Sequence, residues 1–159
     1  MVINNMEKLI FIVIGFILGQ LPGWFDRKRK IRTYFAALRA ETHVIKEKSE
    51  RYLKDNVISP LFRLPTESFK TSYPILLVEG VLKEKEIHDL SLFYSQVQDI
   101  NRGFDNTAAA LASKYDELLV GESARCRLKV EKLIVGEEAL YINVEKIIND
   151  KLDKSFWWF

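Results

Sequence analysis

Hydrophobic and polar residues alternate along this chain under two different rules. Residues 9–25, LIFIVIGFILGQLPGWF, are 17 positions without a charge. As a helix they span ~25 Å, near the lower limit for crossing a ~30 Å hydrocarbon core. After residue 26 apolar positions recur at threes and fours with charges between them, the period of an amphipathic helix. Ile31, Tyr34, Phe35, Leu38, Val44, Ile45, Tyr52 and Leu53 mark a first long helix over 27–56. Ser59-Pro60 ends it, because a residue before proline avoids the helical region. Thr66 or Ser68 caps a short helix through Phe69, and Pro74 opens another turn over 75–78 that Gly80 stops. A second long helix covers 83–114, with Ile87, Leu90, Phe93, Tyr94, Val97, Ile100, Phe104, Ala108 and Leu111 on one side. Gly103 inside it marks a kink or a close helix approach. Helix continues over 115–135 with a weak point at Gly121, breaks at Gly136, and resumes over 137–154 with acids in its first turn.

The pattern predicts an all-α protein. Residues 1–25 are a transmembrane anchor, and residues 26–159 are a compact helical domain of four to five helices. Charge supplies the orientation. Asp26-Arg27-Lys28-Arg29-Lys30-Ile31-Arg32 follows the apolar run with five cations and one acid. A signal peptide has its cations before the apolar run and a small-residue cleavage site after it, the reverse of this layout. The positive-inside rule therefore places the domain in the cytoplasm, with a short external N-terminus. Gly15, Gly19 and Gly23 repeat every four residues on one helix face, a surface that another membrane helix can approach closely. Gln20 is polar at membrane depth and favours a partner or water.

Composition narrows the chemistry. With 24 Lys+Arg against 22 Asp+Glu, the net charge of +2 does not describe a binder of duplex nucleic acid. One cysteine, Cys126, excludes an intrachain disulfide, and two histidines are too few for a His/Cys zinc site. No phosphate-cradling glycine loop, HExxH or GxSxG occurs, so no catalytic residue, cofactor or metal ion is expected. His43 and His88 stand in polar stretches and read as surface residues. Arg125 and Arg127 flank Cys126 and would lower its pKa, but a lone thiol without an identified histidine partner reads as structural.

Binding features remain. Arg125, Arg127, Lys129 and Lys132 present either a positive edge or a solvated face. Asn101-Arg102 beside Gly103 lets a phosphate or base approach, or bonds a nearby connector. Ser155-Phe156-Trp157-Trp158-Phe159 places four aromatics after a polar helix. They dock on the domain, enter the membrane interface, or stack on nucleobases or a partner chain.

The layout, with the segments SPLFRLPTESF and FYSQVQDINRGFDN, resembles the small CRISPR-associated membrane effectors of type III systems that sense cyclic oligoadenylate. The resemblance covers the whole chain as architecture, without a diagnostic motif. It implies a homo-oligomeric cytoplasmic domain that binds cyclic tetra-adenylate and perturbs the membrane in antiviral defence. Under that reading Asn101, Arg102, Arg125, Lys129, Trp157 and Trp158 are the ligand-binding candidates. Trp157 and Trp158 supply stacking faces, and the cations contact phosphate. The alternative is a non-enzymatic single-pass anchor or scaffold that tethers a cytoplasmic partner.

Overall fold

The 51-residue helix α1, Asn5–Asp55, carries both sequence rules on one backbone. The computed structural model describes residues 5–55, 62–113 and 116–154. Helix α1 passes through Pro22 without ending. Proline has no N–H, so the turn around residue 18 lacks one ladder hydrogen bond. Up to Phe25 the described side chains of the apolar run lie in the open, with Phe11 and Ile12 each 71% exposed. This is the one helix among the described residues that is long and apolar enough to cross a membrane. A core helix of a water-soluble protein would be buried, and here none of the apolar window is.

From residue 26 the same helix turns into one wall of a bundle. Phe35, Leu38, Ile45 and Tyr52 are buried together with Glu41, Thr42 and Ser49, while Arg39, His43, Glu47 and Glu50 between them face outward. Helix α2, Glu67–Val78, runs antiparallel along this half. Its start is held by Glu41 of α1, and its end meets Arg27. Helix α3, Glu84–Ser113, runs parallel to α1. Helices α4, Asp116–Ile134, and α5, Leu140–Lys154, form the return leg. Helix α4 packs beside the far part of α1 and α3, and α5 packs nearer the apolar segment, where Lys151 meets Glu86. We call the end nearest the apolar segment proximal and the opposite end distal. All five elements are helical and no strand occurs among the described residues.

The core is aromatic at both levels. Phe69 stacks on Tyr94 with ring centroids 3.9 Å apart, and Tyr94 meets Phe93 edge-on at 5.1 Å. Farther along, Tyr52, Phe62 and Phe104 pack together, with Tyr52 and Phe104 4.9 Å apart. Burial, then the nearby Cys126 thiol, raise the Tyr52 hydroxyl to about 12. Burial and the Glu41 carboxylate likewise push Tyr94 well above the ordinary tyrosine value.

Several elements differ from the pattern reading. The two short pieces expected around residues 66–78 are one helix, with Pro74 inside it. Neither Thr66 nor Ser68 caps it through a side chain. The Glu41 carboxylate, only 6% exposed, accepts the Ser68 and Phe69 amides at 2.7 and 2.9 Å. A carboxylate at a helix N-terminus satisfies orphan amides and matches the dipole. The last helix starts at Leu140, so Glu137 and Glu138 belong to the preceding turn. Gly80 and Gly136 end their helices with φ of 64° and 90°, the left-handed conformation that favours glycine. Helix α4 runs on through Gly121. Ser59-Pro60 lies outside the described residues.

Candidate binding groove between helices α3 and α4

Gly103 and Cys126 set the distance between α3 and α4. A Cβ added at Gly103 would stand 3.2 Å from the Cys126 sulfur. The glycine therefore marks a close helix approach. Cys126 is 1% exposed, and its thiol lies 3.8 Å from the Ile100 carbonyl. Burial holds its pKa above the ordinary thiol value, against the lowering effects of the Tyr52 hydroxyl and Lys129. Arg125 and Arg127 turn away to Glu122 at 2.9 Å and Glu131 at 3.3 Å, and the buried thiol is structural.

Outside this contact the two helices diverge into a shallow groove of about 380 Å³. Three of the sequence-selected cations line it: Arg102 from α3, and Arg125 and Lys129 from α4. Asp99 and Glu122 line it too, so the charged lining sums to one net positive charge. Arg102 lies 3.4 Å from Asp99 one turn back, and Arg125 bonds Glu122 in the same way. Both arginines are about three-quarters exposed, so these pairs contribute little and can exchange for an anion. Lys129 has no ion-pair partner among the described residues.

Asn101 has a different role. Its amide nitrogen donates to the Leu64 carbonyl at 2.9 Å, and its oxygen accepts the Leu64 amide at 2.8 Å. One asparagine thus satisfies both backbone groups of a buried residue in the connector before α2. Arg63 pairs with Asp105, and Lys48 donates to the Arg63 carbonyl at 2.8 Å. The two segments behind the family resemblance therefore meet in space, and Asn101 works there as a clamp on the connector. Sequence reading left this role open and missed Glu41 altogether. A carboxylate on a mixed helix face shows no local sign that it caps another helix.

Trp157 and Trp158 lie outside the described residues. Gly15, Gly19 and Gly23 have open space where a Cβ would stand.

A larger cleft lies elsewhere, about 630 Å³ between α1 and α5. Arg32, Arg39 and His43 face Glu145 and Asp153 across it, over a floor of Ala36, Ala40 and Ile148. Tyr141 donates to Glu145 at 2.8 Å, and burial followed by that acceptor raises its pKa. Opposite charges balance here, so the cleft has no preference for an anion. His43 is exposed beside Glu47, and His88 is exposed. Among the described residues no group of His, Cys, Asp and Glu is arranged to hold a metal ion. No family model, curated protein or solved structure matches this chain.

Proposed function

We propose that this protein is a single-pass inner-membrane effector of bacterial antiviral defence. Its helical bundle faces the cytoplasm, assembles as a homo-oligomer, binds a cyclic oligoadenylate and perturbs the membrane without catalysing a reaction. The cations at residues 27–32 support the orientation. One observation supports the ligand class: Arg102, Arg125 and Lys129 converge from two helices on one groove. Two exchangeable guanidinium groups and an unpaired ammonium suit phosphate oxygens. The groove volume fits one nucleotide unit better than a whole cyclic tetramer. A symmetric oligomer resolves this mismatch, because each subunit offers the same groove to an equivalent part of a symmetric ligand. The open glycine face of α1 supports such assembly.

The test is calorimetry on the full chain in lipid nanodiscs, with cyclic tetra-adenylate and its linear counterpart. Saturable heat is expected from the cyclic ligand. Lys129→Glu should weaken it more than tenfold, equivalent to about 1.4 kcal/mol. Its salt dependence should also become shallower. No heat from wild type at high micromolar ligand overturns the sensor reading. The anchor or scaffold reading then stands, favoured by the pairing of Arg102 and Arg125 within their own helices, as on a solvated face.

A further inference from the structure

The turn between α2 and α3 combines exposed apolar side chains with a fixed position beside the apolar segment. Val78 is 88% exposed, and Ile75 and Leu77 are open as well. A helix end in water rarely displays three neighbouring aliphatic residues without a partner. The turn is tied down from two sides. Arg27 of α1 pairs with the Glu79 carboxylate and donates to the Glu79 carbonyl at 3.3 Å. Lys151 of α5 donates to the Val81 carbonyl at 2.7 Å and pairs with Glu86 at 2.7 Å.

Arg27 is two residues past Phe25, a rise of about 3 Å. The headgroup layer on each side of a bilayer is about 6 Å thick. If residues 9–25 span the membrane, the clamp on Glu79 sits inside that layer and Val78 beside it. The charges agree. Exposed Lys83 and Lys85 flank the turn, and Arg29 and Lys30 stand on α1 at the same level. Glu79 and Glu86 are already neutralised by Arg27 and Lys151, and exposed Asp26 and Glu84 offset two of these four cations, so the level stays net positive. Trp24, with the Lys28 ammonium 3.6 Å from its ring centroid, has the aromatic-over-cation arrangement suited to the interface.

We infer that Leu77 and Val78 are a second membrane contact, a small wedge that enters the headgroup layer of an anionic bilayer and fixes the tilt and rotation of the bundle. This rests on the single-pass reading of α1. Apolar side chains supply the burial, and the surrounding lysines bind acidic headgroups, each cation contributing about 1 kcal/mol near such a surface.

The experiment uses the full chain in nanodiscs of three parts phosphatidylcholine to one part phosphatidylglycerol. Three single-cysteine additions, Val78→Cys, Ile14→Cys and Val120→Cys, receive an environment-sensitive fluorophore; the native thiol of Cys126 is buried and does not compete. The Ile14 label reports the span, and the Val120 label reports exposed surface at the distal end. Circular dichroism confirms that each labelled chain keeps its helix content. At Val78 the expected result is a blue shift, loss of quenching by aqueous iodide, and quenching by doxyl-labelled lipid. Iodide quenching equal to that at Val120, with Ile14 shielded, overturns the wedge and leaves the span intact. Shielding from iodide without quenching by doxyl lipid overturns it in favour of a second protein copy. An iodide-accessible Ile14 removes the span and the wedge together.

Discussion

The two halves of α1 share one backbone and present two different surfaces. In the first half every described apolar residue from Leu9 onward is open, and nothing lies within 4 Å of the space beside Gly15, Gly19 or Gly23. In the second half Leu38 and Ile45 are fully covered, and the same helix carries Arg39, Lys46 and Glu47 outward. Both halves are α-helical, and apart from the bond missing at Pro22 the difference between them lies in the side-chain pattern. Unbroken apolarity requires a surrounding that is apolar on all sides, and a stripe requires a partner on one side. The change occurs within residues 26–32, where the cations gather. Continuity through Pro22 makes the two halves one mechanical unit, so a shift in the bundle reaches the apolar half directly.

Two substitutions should break this comparison on opposite sides. Phe35→Ala removes a buried ring from the second half and should cost about 3–5 kcal/mol of bundle stability. Thermal unfolding followed by circular dichroism should move down in temperature, while the chain stays in the membrane pellet after carbonate extraction. Ile14→Lys does the reverse. A lysine near the middle of the run costs about 2.5–3.5 kcal/mol of insertion free energy. The pelleted fraction should fall, while the unfolding temperature of the bundle stays close to that of the parent. If either substitution moves both readouts equally, the halves are not independent in energy, and the simple division of α1 is wrong.

The sequence showed well the features that depend on local periodicity. The apolar run, the buried stripe of α3, the break at Gly136 and the close approach at Gly103 all follow from residue type and spacing. What stayed hidden depends on residues far apart in the chain. Glu41 caps a helix 27 residues away, and Asn101 clamps a backbone 37 residues away. Neither leaves a signature at the capped site, where Thr66 and Ser68 offered a local alternative. The sequence also placed Arg102, Arg125 and Lys129 together without saying where they meet. The return of α4 against α3 supplies that, since Cys126 must face Gly103 for the helices to close. Cys126 is buried, as the structural reading of a lone thiol without a histidine partner expects, and burial rather than its flanking cations sets its pKa.

The smallest expected effect tests the joint where the halves of α1 meet the rest of the bundle. Glu86 accepts the Lys83 amide at 2.7 Å, closing the first turn of α3, and pairs with Lys151 at the same distance. Burial alone would raise its pKa, but the Lys151 hydrogen bond, the Lys83 amide and both ammonium charges outweigh it and hold the carboxyl below its ordinary 4.5. A carboxyl whose folded pKa is depressed binds fewer protons folded than unfolded. Its stabilisation is therefore complete above the ordinary carboxylate range and declines as pH falls through the lower folded value. Glu86→Gln keeps an oxygen for the Lys83 amide and removes the charge. It should cost about 1 kcal/mol at pH 7, the scale of one charge-assisted hydrogen bond with partial solvent access. The difference between variant and parent should be full at pH 7 and shrink as pH falls through the depressed folded pKa, where the parent protonates too. Chemical denaturation over a descending pH series in the same detergent measures both quantities. A difference that stays the same across the whole acid series would assign the loss to packing, and the α2–α3 turn would then be held in place by Arg27 and the Lys151–Val81 bond without help from this charge.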